Sequence, residues 1–155
     1  MKTYRGKYKV KNIKKYEGDP SNCTFRSMWE RQVFRWLDDH PNVVRWGSET
    51  VIIPYRCKTY GKGHRYFTDL KIKMADGKVF IIEIKPKAQT KEPKIKSRKT
   101  KGYINEVMTY VKNTSKWEAA ESYCNERGWK FAIWTEDEIQ AFGIKLVLPR
   151  KPKKK

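Results

Sequence analysis

Apolar residues between Tyr66 and Lys87 alternate along two short runs that break at Asp76-Gly77. The break predicts a tight hairpin turn, because Asp and Gly both tolerate positive φ. The Ile, Val and Phe content of the flanks is that of half-buried strands. With a period of two, Val79, Ile81, Glu83 and Lys85 share one face of the second strand, and Phe80, Ile82 and Ile84 the other. A carboxylate and an ammonium thus interrupt an otherwise apolar strand, and Asp69 lies in the facing strand. Buried charges are costly unless they are paired or hold a metal.

The helical period of 3.6 governs residues 24–38, where Trp29, Val33, Phe34, Trp36 and Leu37 form one broad apolar arc. Glu30 falls inside that arc, while Arg31 and Arg35 fall outside. Ser27-Met28-Trp29-Glu30 also has the S-x-x-E pattern of a capping box. Glu30 therefore has two readings, a helix cap or an inward carboxylate beside the hairpin. Residues 43–46 and 50–55 predict two short strands around Gly47-Ser48, with Pro54 marking a strand end or edge. Glu49 starts the second of these and could face the site or solvent.

Beyond the hairpin, residues 86–101 are basic, broken by Pro, and predict a loop. A helix over 102–112 has Tyr103, Ile104, Val107, Met108 and Val111 on one face. Asn113-Thr114-Ser115 predicts a break, with Ser115 as the N-cap of a second helix that Gly128 stops. Residues 129–134 read as a buried strand, and Thr135 to Glu138 opens a short helix with T-x-x-E capping. Residues 144–148 predict an edge strand, and 149–155 cannot fold alone. This order gives an α/β class, a mixed sheet flanked by helices. The crossover from the strand of Glu83 to that of Trp129 makes those two strands parallel.

Composition changes the picture through charge. In 155 residues the formal net charge is +19, which points to nucleic acid or an anionic surface as partner. Residues 1–20, 86–101 and 150–155 hold 19 of the 36 Lys and Arg but only 3 of the 17 acids. The reading is a near-neutral domain, 21–149, carrying a basic N-terminal arm (1–20), a basic loop (86–101) and a basic tail (150–155). In the loop, Lys87, Lys91, Lys94, Lys96, Arg98, Lys99 and Lys101 are the candidate DNA contacts. Tyr4, Tyr8 and Tyr16, set among lysines, either stack on bases or fasten the arm to the domain. Cys23, Cys57 and Cys124 form no C-x-x-C pair, so a zinc site and a disulfide framework are both unsupported. Such thiols suit a reducing cytoplasm. His64 has no second His at ligand spacing and reads as a surface residue. No apolar run approaches a membrane span, and the basic N-terminus lacks the apolar segment of a secretory signal.

Two carboxylates converging beside a diverging strand pair make a hard oxygen site. Mg²⁺ takes one or two carboxylates and fills its other positions with water and phosphate oxygens. Asp69 and Glu83 are the candidate ligands, with the backbone carbonyl of Ile84 as a third. Lys85 would orient or help deprotonate the attacking water, or stabilise developing charge. Glu30 would hold a water of the ion's shell or a second ion.

A helical Glu followed by Asp, thirteen residues, Glu-x-Lys resembles the PD-(D/E)XK nuclease superfamily over Ser27 to Lys85. The superfamily's catalytic positions match Glu30, Asp69, Glu83 and Lys85; its Pro before the Asp is Thr68 here. Tyr16-Glu-Gly-Asp-Pro20, Arg26-Ser-Met-Trp-Glu30, Trp46-Gly-Ser-Glu-Thr50, Ile53-Pro-Tyr55, Arg65-Tyr-Phe67 and Ile82-Glu-Ile-Lys-Pro-Lys87 are similar to the head completion nucleases of T-even-type phages. Asn113-Thr-Ser-Lys-Trp117 and Thr135-Glu-Asp137 extend the likeness. A transposase end-cleaving subunit is more distantly similar. The resemblance implies a restriction-endonuclease-like core and an endo- and exonuclease using Mg²⁺ or Mn²⁺ on double-stranded DNA. It would process packaged DNA before head–tail joining, in the host cytoplasm during assembly or in the virion, in contact with head or portal-neck proteins. Two alternatives stay open: a structural head–tail or DNA-binding protein with a vestigial site, and a junction- or transposon-type endonuclease.

Overall fold

The computed structural model describes residues 5–58 and 61–146. In chain order its strands are β1 (Gly6–Lys7), β2 (Thr24–Phe25), β3 (Val43–Ser48), β4 (Ile52–Arg56), β5 (Gly63–Phe67), β6 (Leu70–Met74), β7 (Val79–Ile84) and β8 (Lys130–Trp134). Its helices are α1 (Met28–Asp39), α2 (Lys101–Arg127) and α3 (Glu136–Ala141). The main sheet runs β3-β6-β7-β8. The first two pairings are antiparallel. β7 and β8 are parallel, joined through α2 as the sequence predicts.

The β6–β7 hairpin forms where expected, with Leu70 opposite Ile82 and Lys73 opposite Val79. Its turn differs in detail. Gly77 alone takes the left-handed conformation, at φ 88°. Gly77 N–H donates to Met74 O at 3.0 Å and Met74 N–H to Lys78 O at 2.9 Å. This is a three-residue loop with a glycine bulge. Asp76 contributes through its side chain, which accepts the Lys78 N–H at 3.0 Å.

The alternation of β7 divides the core. Ile82 joins Val33, Phe34, Leu37, Trp46, Leu70, Ile72 and Ile139 on the α1 side. Ile81 joins Ile53, Tyr55, Tyr66, Ala120 and Cys124 on the α2 side. Glu83, two residues after Ile81, points to the α2 side for the same reason.

Four expectations are corrected. Tyr66 and Phe67 belong to β5, which pairs with β4 in a separate two-stranded sheet; the strand of Asp69 starts only at Leu70. Helix α1 starts at Met28 and not at residue 24, because Thr24 and Phe25 pair with Lys7 and Gly6. Helix α2 runs without a break through 113–115. Thr114 Oγ1 and Ser115 Oγ donate back to Val111 O at 3.0 and 2.8 Å, so the hydroxyls bond within the helix and cap nothing. Residues 144–146 form no strand, although Ile144 and Leu146 pack on the core; the rest of the predicted edge strand and the tail lie outside the described residues.

The N-terminal segment wraps the domain. Tyr8 Oη donates to the buried Asp38 at 2.7 Å, and Tyr16 meets Trp46 edge-on at 4.8 Å. Lys15 Nζ donates to the carbonyls of Leu37, Asp38 and His40, which α1 leaves open at its C-terminus. Tyr8 and Tyr16 therefore fasten the arm; Tyr4 lies outside the described residues. Gly47 permits this wrapping, since a Cβ there would stand 2.6 Å from Glu17 O.

Candidate active site

The antiparallel ladder of β6 and β7 ends at Leu70 and Ile82. One step beyond, Asp69 and Glu83 face each other across strands that diverge. Asp69 Oδ2 accepts the Ile84 N–H at 2.8 Å, replacing the ladder bond that the divergence removes. Lys85 N–H donates to Trp134 O at 3.1 Å, so the pairing with β8 pins the next residue. Glu83 is 8% exposed. It accepts a short hydrogen bond from the hydroxyl of Tyr66, itself 3% exposed.

The electrostatics are those of a crowded acid pair. Burial, then the charges of Glu83 and Glu30, hold the Asp69 carboxyl well above the usual carboxylate range, against the pull of the Ile84 N–H and Lys85. Burial also pushes Glu83 up, opposed by the Tyr66 hydroxyl, Lys85 and Lys116. The two carboxyls lie close enough for each to bear on the other's proton affinity. Like charges this close cannot both ionise at ordinary cost.

Glu30 keeps half of the capping-box reading, since its N–H is capped but its carboxylate does not return to the Ser27 N–H. Ser27 Oγ caps α1 by accepting the Glu30 N–H at 3.1 Å. The Glu30 carboxylate accepts the Arg26 N–H at 2.7 Å, one residue before the cap. Burial raises its pKa, and among the charges that add to this are Glu49 and Glu83. The capping residue is thus also a wall of the site. Because Gln can still accept the Arg26 N–H, Glu30→Gln should leave the melting temperature nearly unchanged while cleavage falls at least tenfold, about 1.4 kcal/mol. Ser27→Ala, by contrast, should cost about 0.5–2 kcal/mol of stability. Thermal melts and cleavage rates on both variants check the separation.

The sequence leaves Glu49 open between site and solvent and gives no signal for Tyr66 and Lys116. Glu49, at φ 56°, is the one left-handed non-glycine among the described residues, a conformation that clusters at functional sites. Its N–H donates to Asp69 O at 3.2 Å and its carboxylate pairs with Arg26 at 2.9 Å. Tyr66 reaches Glu83 because β5 packs over the sheet. Lys116 arrives from α2, with Nζ 5.5 Å from the centre of the Tyr66 ring. Burial lowers its pKa, while Glu83 works the other way. Lys116 lay inside the motif Asn113 to Trp117, but its inward direction depends on α2 running unbroken.

Of the loop residues, Lys87 is tied down. Its Nζ pairs with Asp137 at 2.9 Å and its N–H donates to Glu136 at 2.7 Å. Lys91, Lys94, Lys96, Arg98, Lys99 and Lys101 are exposed, with Lys96 over the ring of Tyr103. Among the described residues no three Asp, Glu, His or Cys side chains converge as a metal cage. A pair of carboxyls with no third side-chain ligand fits Mg²⁺, which keeps several waters and takes substrate oxygens, better than a metal that needs a closed cage.

A four-stranded mixed sheet with an acid pair at the divergence of its central hairpin is the frame of a restriction-endonuclease-like nuclease. Residues 40–136 match the family described as TnsA-like endonuclease N terminal, and the chain belongs to that family. That span includes Asp69, Glu83 and Lys85. The chain is also 48% identical, over 146 residues, to the head completion nuclease of Enterobacteria phage T4, covering 92% of this chain and 97% of that protein. Among the described residues no helix is long and apolar enough to cross a membrane.

Proposed function

We propose that this protein is a metal-dependent deoxyribonuclease that hydrolyses phosphodiester bonds of double-stranded DNA, and that it processes packaged DNA during phage head completion. The observation that carries the chemistry is the pair Asp69–Glu83 beside Lys85, half-buried and buried respectively, an acidic recess in a chain of net charge +19. A basic exterior gathers a polyanion, and an acidic interior suits only the cation that must accompany it. The step in assembly rests on the relative's function, at 48% identity over nearly the full length of both chains. Head or portal-neck proteins are the corresponding partners.

Asp69, Glu83 and the Ile84 carbonyl would hold Mg²⁺ or Mn²⁺, which would supply charge neutralisation at the phosphate and a more acidic attacking water. Lys85, whose main-chain N–H is held by Trp134 O, would use its ammonium to stabilise charge that develops on the phosphate oxygens. Glu30, whose charge bears on Asp69, would hold a water of the ion's shell or a second ion. Tyr66 fixes the Glu83 rotamer, since burial and Glu83 push its hydroxyl up and keep it a donor.

The deciding experiment incubates the protein with plasmid and linear DNA in Mg²⁺, Mn²⁺ or EDTA. Nicking and shortening with either metal, and none in EDTA, is the expected result; intact DNA throughout would leave the structural-protein reading. Replacing Lys94, Lys96, Arg98 and Lys99 together by Ala should weaken binding to any duplex. The slope of log affinity against log salt should fall by up to about 3.6, since each phosphate contact contributes about 0.9. An unchanged slope would take the loop off the DNA.

A further inference from the structure

The β4–β5 hairpin sprouts from the catalytic edge of the sheet. It occupies the connection from Ser48 to Leu70, which are paired neighbours at that edge. Its inner face, Ile53, Tyr55 and Tyr66, is buried against α2. Its outer face carries Ile52, Pro54 and Arg56 on one strand, and Phe67, Arg65 and Gly63 opposite them in register. Phe67 is 45% exposed and Ile52 43%, so a flat aromatic–aliphatic step stands open to solvent two residues from Asp69. Arg65 lies over the Phe67 ring, its Cζ 5.7 Å from the centroid. A solvent-open concavity of about 800 Å³ runs along the hairpin, lined by Pro54, Arg56, Gly63 and Arg65 together with Tyr55 and His64 of the α2-facing side and Ala119 of α2. Nothing stands within 4 Å of where a Cβ on Gly63 would be, so Arg56 faces open space across the strand pair. Among the described residues neither Arg56 nor Arg65 is in an ion pair.

We infer that this outer face is a platform for an unpaired DNA strand leaving the active site, with a base on Phe67 and the phosphates on Arg65 and Arg56. The inference rests on the nuclease reading above. Outward residues of a strand recur every two positions, about 6.6 Å apart, a spacing an extended nucleic-acid strand can follow. Each guanidinium is then offered a phosphate, which it binds bidentately. The ring selects the form of the DNA. Bases in a duplex are already stacked, whereas an unpaired base gains about 1–3 kcal/mol by stacking on an aromatic side chain. A net charge of +19 on the chain favours a polyanion as the occupant of this face.

The test measures binding of the full chain, in EDTA, to a short blunt duplex and to the same duplex with a splayed single-stranded arm. Cleavage of the blunt duplex in Mg²⁺ or Mn²⁺ is followed in parallel. The arm should tighten binding about tenfold. Phe67→Leu, which keeps the apolar contact with Ile52 and removes the ring, should abolish most of that gain. Arg65→Ala should do the same, both with unchanged melting temperature and blunt-duplex affinity. An arm that adds nothing, or a gain that survives both variants, overturns the platform while blunt-duplex cleavage still stands. Absent cleavage by the unmodified protein in both metals overturns the nuclease reading itself, and with it this one.

Discussion

Asp69→Asn, Glu83→Gln and Lys85→Ala should each lower DNA cleavage at least a thousandfold, with far-ultraviolet circular dichroism unchanged. The magnitude follows from the number of tasks lost at once. Removing one group that stabilises developing charge costs about 10²–10³ in rate, and a carboxylate that also holds the metal adds its binding loss. The fold survives because none of the three side chains fills the core. The backbone of Lys85, not its side chain, bonds to Trp134. Asn at 69 and Gln at 83 retain an oxygen for the Ile84 N–H and the Tyr66 hydroxyl. The three losses should not add, since groups acting as one unit fail together. A double variant, Asp69→Asn with Lys85→Ala, should therefore be no worse than the poorer single. Cleavage near the unmodified rate in any two of the singles would remove the assignment.

How much of this was legible in the chain depends on the range of the signal. The hairpin, the T-x-x-E helix of Thr135 and the stop at Gly128 are written in neighbouring residues. The first two form as local chemistry predicts, with Thr135 and Glu138 making both halves of a capping box. Gly128 ends α2 at φ 71°. Asp69, Glu83 and Lys85 were legible because a charge in an apolar strand is anomalous wherever the strand packs. Ser115 misled because a hydroxyl that can cap can equally bond back to Val111, and nothing nearby decides between them. Tyr66 and Lys116 were not legible as site residues. Their place depends on β4–β5 folding over the sheet and on the phase of a 27-residue helix, both set by packing against Ile81 and Cys124. The N-terminal tyrosines show the same limit. Charge density suggested an arm reaching for DNA, but Asp38, buried and bonded to Tyr8 and to the Trp46 indole, claims that segment for the core.

Without metal, the stability of the protein should fall as pH rises from about 4 toward neutrality, and Mg²⁺ should reverse that fall. The sign comes from the raised carboxyls. Asp69 and Glu83 bind protons more tightly in the folded chain than in the unfolded one, where they titrate near the ordinary range of about 4. Between that range and their raised values the folded state holds more protons, so stability declines with each step of pH. A divalent cation at the pair would compete with the protons that the raised carboxyls hold, so its affinity should rise with pH. With free Mg²⁺ a hundredfold above its Kd, binding adds about 2.7 kcal/mol, a rise of roughly 5–11 °C in Tm for a chain of this size. The rise should be large at pH 8 and small near pH 5. Glu83→Gln separates the causes, because it removes one carboxyl, the repulsion and most of the metal affinity together. That variant should melt above the unmodified protein in EDTA at pH 8 and gain little from Mg²⁺. Lys85 and Lys116 temper the gain, as each loses a carboxylate neighbour. Melts at pH 5 and pH 8, each in EDTA and in Mg²⁺, give the four values needed for either protein. Equal Mg²⁺ shifts at both pH values, or an equal shift in Glu83→Gln, would place the metal away from this carboxyl pair.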